Sequence, residues 1–175
     1  MRLPKLNTRG FSLLEMIITV SIVLIVFGGG LAAFIRFNDR QRVQATANDI
    51  KQFIKSAQTR ARVRDNPDQA GCNQLQGYRV TTTGSLAIMN LLCGATKFSN
   101  APGIQRATYT VQSGITVTSM SINFYTLEGS ANVITPADNK IRVNGTNAYY
   151  LFRVEESGEI TEGCFVTTAT SDTCL

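Results

Sequence analysis

The stretch that decides the fold is Arg9-Gly10-Phe11-Ser12-Leu13-Leu14-Glu15-Met16, followed by IITVSIVLIVFGGGLAAFI over 17–35. From Phe11 to Ile35 there are 25 residues and one charge, Glu15. Roughly 20 apolar residues of helix cross the hydrocarbon core of a bilayer, so this run is long enough to span one. Arg2, Lys5 and Arg9 precede it, and a basic flank of this kind stays on the cytoplasmic side. The run is too long for an ordinary secretory signal, whose apolar part is about 7 to 15 residues. Gly30-Leu31-Ala32-Ala33 is a poor small-residue cleavage site. It keeps open one alternative, a secreted soluble β-rich protein cleaved near Ala33.

Outward from this run the helical pattern continues. Val43, Ala47, Ile50, Ile54, Ala57 and Ala61 recur at three- and four-residue spacing, a narrow apolar stripe. Arg40, Arg42, Lys51, Lys55, Arg60, Arg62 and Arg64 lie around it. Asn66-Pro67 is the expected stop, because the residue before proline is pushed out of the α region. A helix from about Ser12 to about Arg64 would be roughly 80 Å long, more than a head of about 110 residues covers. The first half therefore belongs in lipid or among other copies, and the stripe on the second half is the face a β-sheet packs on.

After Pro67 the period switches to two. Gly77–Thr83 and Ser85–Leu92 predict a hairpin about Gly84, and Thr108–Gln112 with Ile115–Met120 another about Ser113-Gly114. Ile122, Phe124 and Leu127 extend the meander. Lys140–Val143 and Ala148–Val154 flank Asn144-Gly145, and the run ends in a turn to a last short strand at Ile160. The segments 96–103 and 128–139 read as loops. The patterns give a basic segment over 1–10, a membrane-spanning helix over 11–35, its amphipathic continuation over 36–66, and a β-rich head over 67–175. The fold class is α+β.

Charge and residue usage exclude several classes. The net charge of +5 is concentrated on 36–64, with eight basic residues against Asp39 and Asp49, while 65–175 is mildly acidic. The chain has no histidine, which removes the commonest general base and the Ser-His and Cys-His nucleophile pairs. Four cysteines without a C-x-x-C pair argue against a metal site. Beyond a membrane segment they favour disulfides in an oxidising compartment. No constellation supports catalysis, and no cofactor is implied.

Residues 9 to 16 closely resemble the type IV prepilin processing motif. The resemblance implies that 1–10 is a leader and 11–35 a transmembrane assembly helix. It also implies cleavage by prepilin peptidase between Gly10 and Phe11, N-methylation of Phe11, and retention of the apolar helix on the mature chain. Glu15 is then the fifth mature residue. A carboxylate inside a bilayer costs on the order of 2.5 to 3.5 kcal/mol and needs a partner. In pilin-like filaments that partner is the freed amine of a neighbouring subunit, although snorkelling to headgroups would also satisfy Glu15. The implied partners are prepilin peptidase, other pilin or pseudopilin subunits, an inner-membrane assembly platform and membrane lipid.

Gly28, Gly29 and Gly30 cost roughly 1 kcal/mol each in a helix relative to alanine. One reading makes them a segment that melts once outside lipid, as in pilin-like filaments. The other makes them a surface for close helix packing. The order Ser121-Ile-Asn-Phe…Gly129, Lys140-Ile-Arg-Val, and Leu151-Phe-Arg-Val-Glu-Glu-Ser-Gly-Glu-Ile-Thr resembles the head of the GspH/FimT minor pseudopilins and minor pilins. It implies a helix packed on antiparallel sheets; a generic pilin-like meander reads equally well. Cysteines divide naturally into Cys72 with Cys93 and Cys164 with Cys174, the second pair pinning the tail much as in major pilins, although four cysteines allow three pairings.

A minor subunit of a type IV pilus or type II secretion pseudopilus is the function these resemblances imply. DNA capture for uptake is an alternative within the FimT group. Its members carry an arginine-rich Gly-Arg-x-Arg motif near the C-terminus, whereas this tail holds Glu155, Glu156, Glu159, Glu162 and Asp172 and no arginine after Arg153. Nucleic acid is therefore an unlikely partner by sequence.

Overall fold

The computed structural model describes residues 12–65, 72, 74–94, 104–128 and 130–174. Among them the chain is α+β, one long N-terminal helix followed by an eight-stranded antiparallel sheet. The helix is α1 (Leu13–Arg62). The strands are β1 (Leu75–Gly84), β2 (Leu86–Cys93), β3 (Ile104–Thr110), β4 (Thr116–Tyr125), β5 (Ala131–Thr135), β6 (Lys140–Asn144), β7 (Tyr149–Arg153) and β8 (Cys164–Val166). The chain divides into two units at Phe37 and Asn38, and each is described by itself.

In the second unit the helix docks through the expected stripe. Val43, Ala47, Ile50, Ile54, Ala57 and Ala61 are all fully buried. They share one core with Tyr78, Val80, Met89, Ile122, Phe124, Ile141 and Phe152 of the sheet. The alanines let helix and sheet backbones approach, and each buried Val or Ile contributes about 1.5–3 kcal/mol. The helix stops earlier than the proline signal implies. Arg64 is left-handed (φ 52°), its N–H donates to Ala61 O at 3.3 Å and that of Asp65 to Arg60 O at 3.0 Å. This pair of bonds is a Schellman cap, so the last carbonyls are satisfied before the chain reaches Pro67. Asn66-Pro67 itself lies outside the described residues.

The sheet runs β3-β2-β1-β4-β6-β7-β8, with β5 also on β4. The β1–β2 hairpin turns at Gly84 (φ +60°) and Ser85, and β6 pairs β7 from Lys140↔Arg153 to Asn144↔Tyr149, both near the expected places. The expected β3–β4 hairpin is absent. Ser113-Gly114 does turn, with Ile115 N–H on Gln112 O at 3.1 Å. That turn carries the chain past the end of the β1–β2 hairpin, so β3 pairs β2 and β4 pairs β1. The spatial order 4-1-2-3 is a Greek key, and a local turn signal does not distinguish it from a meander.

Three further differences concern strand ends. Residues 121–125 continue β4 without a break, and Leu127 lies beyond it in a left-handed turn (φ 63°). The segment expected as a loop at 128–139 contains β5, paired with Ser121–Phe124. The last short strand is β8; Ile160 makes only a single bridge to Val154. The expected loop 96–103 lies outside the described residues. Strand β4 is shared, because β5 takes its C-terminal half and β6 pairs with Thr116 and Val117. At the β1–β4 irregularity, the buried Thr82 hydroxyl donates to Thr118 O at 2.6 Å and accepts from Met120 N–H at 3.0 Å.

Gly77 and Gly145 are among the glycines fixed by close approach. A Cβ on Gly77 would lie 2.0 Å from Phe124 O, and one on Gly145 would lie 2.5 Å from Val43 Cγ2. Gly145 thus lets the β6–β7 turn rest on the helix.

Candidate functional site

The described part of the first unit is a helix with its apolar side chains in the open. Leu13 is 77% exposed, Ile25 75% and Phe27 73%, and the other described large apolar residues up to Phe37 are exposed too. By length and composition the helix is able to cross a membrane. Its polar groups suit that medium. Thr19 donates to Met16 O at 3.0 Å and Ser21 to Ile17 O at 2.8 Å, so both hydroxyls are satisfied within the helix. Glu15 is exposed and has no ion-pair partner among the described residues. The helix is unbroken through Gly28, Gly29 and Gly30. A Cβ on Gly28 or Gly30 would meet nothing within 4 Å, and Gly30 opens an apolar notch edged by Val26, Phe27, Leu31 and Phe34.

Residues 5–31 match the prokaryotic N-terminal methylation motif. The match covers Gly10, Phe11, Glu15 and most of the exposed apolar run, and it supports a type IV pilin-like chain processed by prepilin peptidase. Gly10 and Phe11 lie outside the described residues. No curated protein and no solved structure matches the chain.

In the head, Cys72 bonds to Cys93 and Cys164 to Cys174. The first ties the chain entering β1 to the end of β2; the second fastens the C-terminal segment to β8. Among the described residues no group of three or more Cys, Asp or Glu side chains is placed to hold a metal ion.

Two of the helix's basic residues, Arg42 and Lys51, donate to head groups. Arg42 Nη2 donates to Ser113 O at 2.6 Å. Lys51 donates to the Tyr150 hydroxyl at 3.4 Å and to Glu162 O, and it lies over the Tyr150 and Phe152 rings at 5.1 and 5.3 Å. Burial lowers its pKa, opposed in part by the Glu162 charge and reinforced by Lys55. Arg60 pairs with Asp65 at 2.6 Å.

Two acids make contacts that join distant parts of the sequence. Asp39 turns its carboxylate to the backbone N–H groups of Thr146 (3.4 Å) and Asn147 (2.6 Å). Asp172, inside the Cys164–Cys174 loop, accepts from Lys140 Nζ and Arg142 Nη2, each at 2.5 Å. Those two hydrogen bonds hold its carboxyl below the usual range. Lys140 and Arg142, two apart on one strand, share a face; that spacing is the signal from which an acidic partner was inferable.

Proposed function

We propose that the chain is a structural filament subunit, cleaved after Gly10 and N-methylated on Phe11. It is held in the membrane by residues 11–35 and then packed through that helix against equivalent helices. The observation that carries this reading is the exposed apolar helix with one acid, Glu15, behind the methylation motif. Exposure of so many large apolar side chains is stable only in lipid or against other protein. Such a subunit acts by assembly and not by catalysis.

The finer assignment is a minor subunit of a type IV pilus or of a type II secretion pseudopilus. The order of strand motifs from Ser121 to Thr161, which resembles GspH/FimT heads, supports it. DNA capture has less support, since Arg42 and Lys51 are taken up by head groups and the acidic tail has no arginine after Arg153. Mass spectrometry of the exported chain tests the proposal. An N-terminus at methylated Phe11 is expected, and Gly10→Val should leave the leader in place. An N-terminus near Phe34 would instead establish the secreted alternative.

A further inference from the structure

Arg40 is set apart from the other engaged cations of the helix. It has no carboxylate partner among the described residues, and its guanidinium stands 5.6 Å above the Phe165 ring. The neighbouring acid, Asp39, is turned to the amides of Thr146 and Asn147. Arg40 lines a cavity of about 230 Å³ whose other polar walls are Asn147, Tyr149 and Thr167. Among the described residues no acidic side chain lines it. A fork of guanidinium donors beside hydroxyl and amide groups is matched to a phosphate, whose oxygens accept in parallel pairs.

The cavity is also braced. Phe165 stands edge-on to Tyr150 with ring centroids 5.2 Å apart. It follows Cys164, which is bonded to Cys174, while Val166 bridges Cys174. The wall that holds Phe165 and Thr167 is thus crosslinked at its base.

Sequence position supplies the source of the phosphate. Arg40 is five residues past Ile35, the end of the apolar run. Even a fully extended chain spans at most about 18 Å over that interval, and a helical one about 7.5 Å. The headgroup layer extends about 5–7 Å beyond the hydrocarbon core. We infer that the Arg40 cavity seats the phosphate of an anionic phospholipid headgroup while the subunit waits in the membrane. The inference rests on the reading that residues 11–35 span the bilayer. Tyr149, on the cavity wall, is of a residue type enriched at that interface.

The test places the full chain in nanodiscs of phosphatidylcholine alone, of phosphatidylcholine with phosphatidylglycerol, and of phosphatidylcholine with inorganic phosphate in the buffer. Hydrogen exchange is followed at the amides of 147–149 and 165–167, and protease protection of 13–35 reports insertion separately. Slower exchange only with phosphatidylglycerol is expected. Arg40→Ala should reduce that protection about fivefold, the worth of one modest charged contact. Arg40→Lys should recover part of it, and Arg36→Ala should leave it unchanged. Equal protection in all three conditions, or from inorganic phosphate alone, overturns the assignment, as does an Arg40→Ala chain indistinguishable from wild type. Loss of insertion itself would remove the membrane reading and the assignment with it.

Discussion

The Tyr109 hydroxyl donates to the Asp49 carboxylate at 2.8 Å, joining the edge strand β3 to the helix. With the Phe53 ring 6.4 Å from that of Tyr109, this is a cross-link between the outermost strand and the element that covers the core. Burial first, then the Asp49 hydrogen bond and charge, push the Tyr109 pKa up to about 12. A raised folded value means that the native state keeps its proton longer than the unfolded chain. The stabilisation is therefore complete below pH 10 and declines as pH rises toward 12. An ultraviolet titration of the full chain in detergent should show a late phenolate step, shared with the buried Tyr78 and Tyr150, whose amplitude falls in Tyr109→Phe. The substitution should cost about 1 kcal/mol after allowance for solvent screening. A late step of undiminished amplitude in the variant would mean that Tyr109 does not contribute to it.

A second prediction concerns the helix cap. Arg64 adopts a left-handed conformation (φ 52°) at the position where helices prefer glycine, because a Cβ costs on the order of 1–2 kcal/mol there. Arg64→Gly should raise stability by about 0.5–1 kcal/mol, with part of the gain offset by the freer unfolded chain. Urea titration of the full chain in detergent checks it. An unchanged or lowered midpoint would indicate that the arginine side chain contributes more than its backbone costs.

How much of this was legible depends on whether the signal was local. The stripe from Val43 to Ala61 was read residue for residue, because burial on one helix face imposes its own period. The β1–β2 and β6–β7 hairpins were legible through Gly84 and Gly145. The partner of β4 was not, since Ser113-Gly114 turns the chain equally well into a hairpin or across a Greek key. Strand β5 was hidden because Asn132, Ile134 and Thr135 are exposed on a short edge strand, which leaves little alternation to detect. At the candidate site, the apolar run and Glu15 were plain. The contacts of Asp39 and Lys51 join residues distant in sequence, and no spacing rule reaches them; for Asp172 the Lys140/Arg142 spacing hinted at an acid without saying which.

The Asp172 clamp makes the tail acid-sensitive. Hydrogen bonds from Lys140 and Arg142 lower the Asp172 pKa from 3.8, so its contribution is present above that value and lost as pH falls through the folded one. Nuclear magnetic resonance of the amides of Ser171 to Thr173 should report loosening only below the ordinary carboxylate range. Asp172→Asn should show the loosened signature at neutral pH, with the Cys164–Cys174 bond still holding the ends together. A tail that is equally ordered in the variant would reduce the clamp to a surface pairing without consequence.

The glycines give a way to separate the isolated chain from the filament. Because a Cβ at Gly28 or Gly30 meets nothing within 4 Å, alanine there should leave the single chain folded and strengthen its helix by up to about 1 kcal/mol per site. Any loss of filament then arises between subunits or from the need to unwind. Circular dichroism in detergent, paired with filament yield from cells, distinguishes the outcomes. Full helicity with full yield would remove both the packing and the melting roles.

Glu15 carries the most direct prediction about assembly. The helix that presents it is apolar on every side, and no cation stands near it among the described residues. Inside a bilayer an unpaired carboxylate is costly by roughly 2.5 to 3.5 kcal/mol on insertion scales, which a neighbour's freed Phe11 amine would relieve. Glu15→Gln removes the charge and keeps the shape. It should insert in the membrane at least as well as wild type and be cleaved after Gly10, yet yield far fewer filaments. Fractionation, mass spectrometry and electron microscopy read the three steps independently. Failure at insertion or cleavage would assign Glu15 an earlier role, and normal filaments from a fully processed Glu15→Gln chain would refute amine pairing as the force that recruits the subunit.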